Sequence, residues 1–204
     1  MARKVYALFN QKGGAGKTSS ACSLALSYAL EGKKVLLADM DRSQQMTGED
    51  WYDIRPGVLE NLTVKNFRSI ADVAIFAKDF DIVVFDGGPN SNELTLEIAD
   101  VADRIIIPTG TTRFDLRPSA RLALDLIASG VDHKKVHMAL YKTMSDAEEQ
   151  GAVEALGKKG LKVCASLKYS PGYALALDAG KGLQETSFPT LKAAAILYVK
   201  GLRG

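Results

Sequence analysis

The stretch Asn10–Ser20, NQKGGAGKTSS, decides how this chain is read. A phosphate-binding loop is Gly, four residues, then Gly-Lys-Ser/Thr. Gly16-Lys17-Thr18 supplies the end of that pattern, but Gln11 stands where its first glycine belongs, and a second lysine, Lys12, follows. The context is the one the motif needs. The run KVYALFN before it has the apolar continuity of a strand buried on both faces, and Thr18–Glu31 after it has helical spacing. Gly13, Gly14 and Gly16 let backbone N–H groups come close to phosphate oxygens. The start of the helix adds the positive end of its dipole. Lys17 is expected to reach the β- and γ-phosphates and Thr18 to ligate Mg²⁺, with Ala15 and Ser19 completing the nucleotide-binding stretch.

Outward from the loop, short apolar runs recur: KKVLLAD, FDIVVFDGG, DRIIIPT, KVHMALYK and LKVCASLK. Between them lie segments of helical spacing at Leu94–Ala102, Leu116–Ser129, Ala147–Lys159 and Leu191–Leu202. Alternation of strand and helix predicts βαβ crossovers and an α/β fold: a mostly parallel twisted sheet with helices on both faces. No linker or repeat interrupts residues 1–204, so a single P-loop domain is expected, with ligands at the C-terminal strand ends.

Two of those strand ends carry acids. VLLADMD places Asp39 at the end of one strand and Asp41 just beyond it; IVVFDGG places Asp86 at the end of another. Mg²⁺ keeps several waters and takes few protein ligands, which suits such carboxylates. Each alone reads equally as a turn former, Asp39 above all; beside the glycine loop the three are expected to converge on the phosphates.

A chain of 204 residues with 47% hydrophobic and 25% charged residues is long enough to bury a core without disulfides. Its two cysteines, Cys22 and Cys164, lack metal-like spacing and read as small apolar side chains in a reducing compartment. No apolar run is long enough to span a bilayer, and the N-terminus does not resemble a signal peptide; a cytoplasmic protein is expected. Charge is uneven. Residues 151–204 carry eight Lys/Arg against three Asp/Glu, net +5, whereas the preceding 150 carry 18 against 21, net −3. A basic final quarter fits a polyanion partner or a solvated surface. Lys168, Lys181, Lys192, Lys200 and Arg203 are the candidates for a face that binds the phosphates of such a partner.

The motifs NQKGGAGKTSS, LLADMD and IVVFDGGPN, in that order and spacing, resemble the ParA/MinD family of deviant Walker-type ATPases. DAGKGLQE resembles the family's Gly-rich helix junction, and the short N-terminus resembles the short ParA-type plasmid partition proteins. The resemblance implies ATP as nucleotide, Mg²⁺ as cofactor and a homodimer formed on ATP. It implies that Lys12 is the signature lysine, reaching the phosphates bound by the partner subunit, as an arginine finger does. Asp41 matches the switch I aspartate that positions water, Asp39 the acid supporting Mg²⁺ through water, and Asp86 the Walker B aspartate; Gly87 and Gly88 begin switch II. The chain departs from the family's Asp-Pro-Gln with Asp41-Arg42-Ser43, followed by Gln44 and Gln45, and LYKT, with Tyr141 and Lys142, stands in the base-binding region.

The function so implied is a slow, partner-stimulated ATPase. It would bind DNA without sequence preference, associate with the nucleoid when loaded with ATP, and partition a plasmid or chromosome with a centromere-binding ParB-type adaptor; the alternative is the positioning of another cellular cargo. A MinD-like membrane cycle would need an amphipathic tail; TLKAAAILYVKGLRG is short and Ala-rich, and no stable membrane insertion is expected. A metabolic or cluster-assembly enzyme on the same fold would want paired cysteines or a longer chain. His133 and His137 straddle the entry to a strand and do not form a helical metal pair. Trp51 reads as a packing residue. TGTTRF, flanked by Pro108 and Asp115, fits a ligand contact, a dimer contact or an ordinary loop.

Overall fold

The computed structural model describes residues 3–41, 48–88 and 92–204. Its strands are β1 (Lys4–Leu8), β2 (Val35–Asp39), β3 (Leu62–Asn66), β4 (Ile82–Asp86), β5 (Arg104–Thr109), β6 (Val136–Thr143) and β7 (Lys162–Lys168). Its helices are α1 (Lys17–Ala29), α2 (Gly48–Asp53), α3 (Ile70–Phe76), α4 (Asn92–Val101), α5 (Arg113–Ala128), α6 (Asp146–Gly157), α7 (Pro171–Asp178) and α8 (Pro189–Arg203). The strands form one sheet in the order β3-β2-β4-β1-β5-β6-β7, with every neighbouring pair parallel.

The apolar runs of β1, β2, β4 and β5 are continuous because both faces of the central sheet are covered. Val5, Ala7 and Phe9 join a core with residues of α3, α4, α5 and α6. Tyr6 and Leu8 point the other way, into a core with α1, α2, α7 and α8. β3 was not anticipated from sequence. It is an edge strand whose LTVKN is only half-buried, so it lacks the continuous apolar run that marks the centre. The short helices α2, α3 and α7 were missed too, each having too few turns to display a helical period.

Chain order moves outward from β1 to β3, returns to insert β4 beside β1, then crosses to β5 and proceeds to β7. The reversal lies around β1, and such a switch point opens a crevice at the C-terminal strand ends. The glycine loop follows β1 at that position. Ser20 Oγ and Tyr198 Oη, 2.9 Å apart, tie α1 to α8. Arg104 caps the C-terminus of α8, donating to Leu202 O at 2.8 Å and Gly201 O at 3.1 Å.

Candidate nucleotide site

The loop reaches α1 through Gly14 at φ 72° and Gly16 at φ 94°, both left-handed. A Cβ at Gly16 would overlap the Tyr141 ring, so this glycine answers to backbone geometry and close approach together. Gly13 is different: its φ is not left-handed and a Cβ there would meet open space, so of the three glycines the turn rests on Gly14 and Gly16. α3, α5, α6 and α7 each begin with a Ser or Thr side chain that accepts a first-turn N–H. α1 begins at Gly16 with no side-chain cap, which leaves its first-turn donors to an anion. Lys17 is buried at the start of that helix, Ala15 is buried within the loop, and Thr18 and Ser19 are half-buried.

β2 and β4 are paired so that Asp39 is the register partner of Asp86. Their acids therefore leave adjacent strand ends side by side. Asp86 is 2% exposed; burial pushes its carboxyl up to about 7, with Thr18 and Lys17 pulling back and Asp39 and Asp41 adding to the rise. Its Oδ1 is buried without a partner. Asp39 is 1% exposed and is also raised by burial, although it accepts from Asp41 N at 2.9 Å and Gly48 N at 2.8 Å. A divalent cation beside Thr18 would relieve the orphaned oxygen and the crowding of acids, so the donor set fits Mg²⁺. Among the described residues no cluster of three or more His, Cys, Asp or Glu could hold a metal alone, so the hydroxyl, water and phosphate would complete the shell. Asp41 is half-buried and adjoins Gly88, whose Cβ would lie 3.3 Å from Asp41 Cα. A Cβ at Gly87 would strike Phe9 at 2.6 Å. Arg42, Ser43, Gln44 and Gln45 lie outside the described residues.

Lys12 stands on the other side of the loop. Its side chain is 48% exposed and forms an ion pair with Asp115. Burial pushes the Asp115 carboxyl up, but Lys12 and Thr112 outweigh it and hold it below the ordinary value. Asn10 sets the approach: its Oδ1 accepts from Lys12 N at 2.8 Å, while its Nδ2 donates to Pro108 O at 2.6 Å and Ser119 Oγ at 2.9 Å. The sequence offered a signal for Asn10, a polar residue ending an apolar strand, that composition alone does not distinguish from a turn former. A cavity of about 240 Å³ bounded by Lys12, Gly13, Thr112, Asp115, Met144 and Glu148 lies on this outer side. A second, of about 140 Å³, lies over Gly16, Lys17 and Thr18 and is bordered by Tyr141 and Lys142. Lys142 has φ 63°, the one left-handed non-glycine among the described residues, and such strain is often held at binding sites.

The remaining candidates sit elsewhere. Trp51 packs, 3% exposed. His137 is held down to about 4 by burial and by Arg104 and Lys162, and its Nε2 meets Arg104 at 2.8 Å. Cys22 and Cys164 are free, and burial pushes both thiols up. Lys192, Lys200 and Arg203 line one groove with Glu31 and Glu185. Arg203 is already engaged, with its guanidinium paired to Glu31 and stacked 4.0 Å over Tyr28. Lys168 does not line the groove; it pairs with Asp146 at 2.7 Å. Among the described residues no helix is long and apolar enough to cross a membrane.

A family profile described as an AAA domain matches residues 3–75, the span from β1 past β3. The chromosome-partitioning ATPase Soj of Thermus thermophilus is 28% identical over 171 residues, covering 69% of this chain and 69% of Soj. Among solved structures, apo McdA of Cyanothece superposes with a TM-score of 0.77 at 17% identity, covering 99% of this chain and 100% of McdA. MinD of Pyrococcus horikoshii in complex with Mg-ADP does so with a TM-score of 0.71 at 16% identity, covering 98% and 94%. The paired lysines of the loop, the acids at two adjacent strand ends, the parallel sheet and these relatives agree: the chain is similar to the ParA/MinD family of deviant Walker-type P-loop ATPases and shares its fold.

Proposed function

We propose that the chain is a ParA-type ATPase that pairs on ATP, binds DNA without sequence preference and drives partition with a centromere-binding ParB-type partner. One observation carries the reading: the loop holds two lysines in opposite settings. Lys17 is buried at the start of α1, where it serves the phosphates of its own site. Lys12 is on the exposed rim, steered by Asn10 and Asp115 away from that cradle. A cation already displaced to the surface is suited to a second copy's nucleotide, where it offsets charge on the transferring phosphoryl.

Thr18 and Asp86, with Asp39 through water, would hold Mg²⁺, which when bound neutralises phosphate charge. The chain's own groups do the rest. The uncapped N–H groups of α1 and Lys17 fix the phosphates, and Asp41 orients the attacking water beside Gly88. With Lys12 needed from a partner, one copy has an incomplete site, which accounts for a slow basal rate that an adaptor protein can raise. That the Thermus relative is a chromosome-partitioning ATPase supports DNA as cargo.

The test is Lys12→Ala. The variant is expected to bind ATP as wild type does, yet to remain a monomer by light scattering with a slowly hydrolysed analogue and to lose most turnover. A stable nucleotide-dependent dimer of Lys12→Ala would overturn the cross-subunit role.

A further inference from the structure

α4 and α8 lie on opposite faces of the sheet. Ile98 and Ala99 carry α4 into the core shared with α3, α5 and α6, whereas Ala195, Tyr198, Val199 and Leu202 carry α8 into the core shared with α1, α2 and α7. Their outer faces are opposite in charge. α4 has three acids, Glu93, Glu97 and Asp100, and no basic residue; α8 has Lys192, Lys200 and Arg203 and no acid. Arg203 is engaged with Glu31. The other five are exposed, and none of them has an ion pair among the described residues.

The match extends beyond charge. Side chains three, four and seven residues apart share one face of a helix, so Glu93, Leu96, Glu97 and Asp100 form one patch with Leu96 among the acids. On α8, Lys192, Ile196 and Lys200 follow at intervals of four, with Ile196 between the lysines. At 1.5 Å per residue, Glu93 and Asp100 are about 10 Å apart along their axis and Lys192 and Lys200 about 12 Å along theirs. Leu96 and Ile196 are both exposed. The α8 row borders a groove of about 780 Å³ whose opposite wall includes Ser27 and Leu30, and Leu30 is exposed as well. The groove's acids, Glu31 and Glu185, are already matched by Arg203 and Arg55, so its unmet charge is positive. Its occupant needs two acids about two helical turns apart and an apolar side chain between them. DNA offers phosphates to the lysines but sets a charged backbone against Leu30 and Ile196.

We propose that the α8 groove is the docking site for α4 of a second copy of this chain. Leu96 of one copy packs against Leu30 and Ile196 of the next, and Glu93 and Asp100 meet the two lysines. With α4 and α8 on opposite faces, no copy can fill its own groove. Each docking leaves one α4 and one groove free, so the contact is head-to-tail and adds further copies. The uneven charge of the chain, net −3 over residues 1–150 and +5 over 151–204, then has a use in which the acidic part of one copy faces the basic part of another. None of these residues borders the two cavities at the glycine loop, so the contact is separate from pairing on nucleotide. One helix in one groove belongs to the small, transient class of interfaces, and its charge pairs make it sensitive to salt. A groove holding α4 has no free lysines for DNA, so the two occupants exclude each other. The inference does not rest on the DNA reading.

The test is sedimentation of the full chain without nucleotide over a range of concentrations. At low salt the average mass is expected to rise with concentration above that of one chain, and at about 1 M salt, where the Debye length is about 3 Å, to return to it. Lys192→Glu with Lys200→Glu is expected to stay monomeric at low salt, and so is Glu97→Lys with Asp100→Lys. Glu93 is kept because its charge favours the start of α4. Mixed in equal amounts, the two variants are expected to associate again, because each acidic groove then meets a basic α4 and each basic groove an acidic one. A misfolded variant cannot give that rescue. Both variants are expected to pair as wild type does on Mg²⁺ with a slowly hydrolysed ATP analogue, so failure of this contact and failure of nucleotide-dependent pairing are read apart. Wild type that stays monomeric at low salt, a lysine variant that still self-associates, or a mixture that does not associate overturns the proposal.

Discussion

The glycine loop and the groove of α8 are both rich in charge, yet their charges are arranged in opposite ways. At the crevice beside the loop, buried acids are crowded together. Asp86 keeps an orphaned oxygen, Asp39 and Asp86 leave adjacent strand ends, and α1 has no side-chain cap. In the groove both acids are matched, Glu31 by Arg203 and Glu185 by Arg55; away from it Lys168 is matched by Asp146. Unmet electrostatic demand in a buried crevice marks a site awaiting a ligand, whereas matched pairs on the surface, such as Lys168 with Asp146, contribute little to stability. What the groove offers beyond its matched pairs is Lys192 and Lys200.

The comparison breaks most visibly at Lys17. Lys17→Ala is expected to weaken Mg-ATP by on the order of a hundredfold or more, read by titration with a fluorescent analogue, since a buried charged partner of the phosphates is gone. Near-wild-type affinity would mean that the crevice is not the phosphate site. Gly16→Ala tests the loop's backbone. Left-handed strain and the Tyr141 overlap together are expected to cost about 2–5 kcal/mol, seen as a lower denaturant midpoint and as lost nucleotide affinity.

Asp86→Asn sharpens the contrast through pH. The carboxyl titrates near 7 in the fold and near the ordinary carboxylate value unfolded. Between those values the native state binds the extra proton, so its stability falls as pH rises through the window and levels off above it. Asn cannot ionise. In the absence of nucleotide and metal the variant is expected to melt several degrees above wild type at pH 8, the gap closing toward pH 4, while Mg-nucleotide stabilisation is lost. A constant gap across that range would contradict the buried, unmet acid.

The smallest effects belong to the groove. Lys181, Lys192 and Lys200 replaced together by Gln are expected to flatten the salt dependence of DNA binding by up to about three per protomer without disturbing the nucleotide-bound dimer. Lys168→Gln, already matched by Asp146, is expected to do almost nothing. An equal effect from Lys168 would show that pairing in the fold does not predict availability to DNA.

The sequence by itself determined the central sheet and the positions of the acids. Strands buried on both faces must be continuous apolar runs, and a strand that ends in Asp places that Asp at the crevice. It determined the loop as well, because Gly16-Lys17-Thr18 between strand and helix leaves few other conformations. Tertiary structure alone decided that Gly14 and Gly16 carry the turn and Gly13 does not, since left-handed φ is set by where Tyr141 and α1 come to rest. It alone decided that Lys12 meets Asp115, 103 residues away, and that Arg55 meets Glu185, 130 residues away. Periodicity and motif are local in the chain. The partner of a charge is settled by which strands and helices pack side by side, and that is a property of the whole sheet.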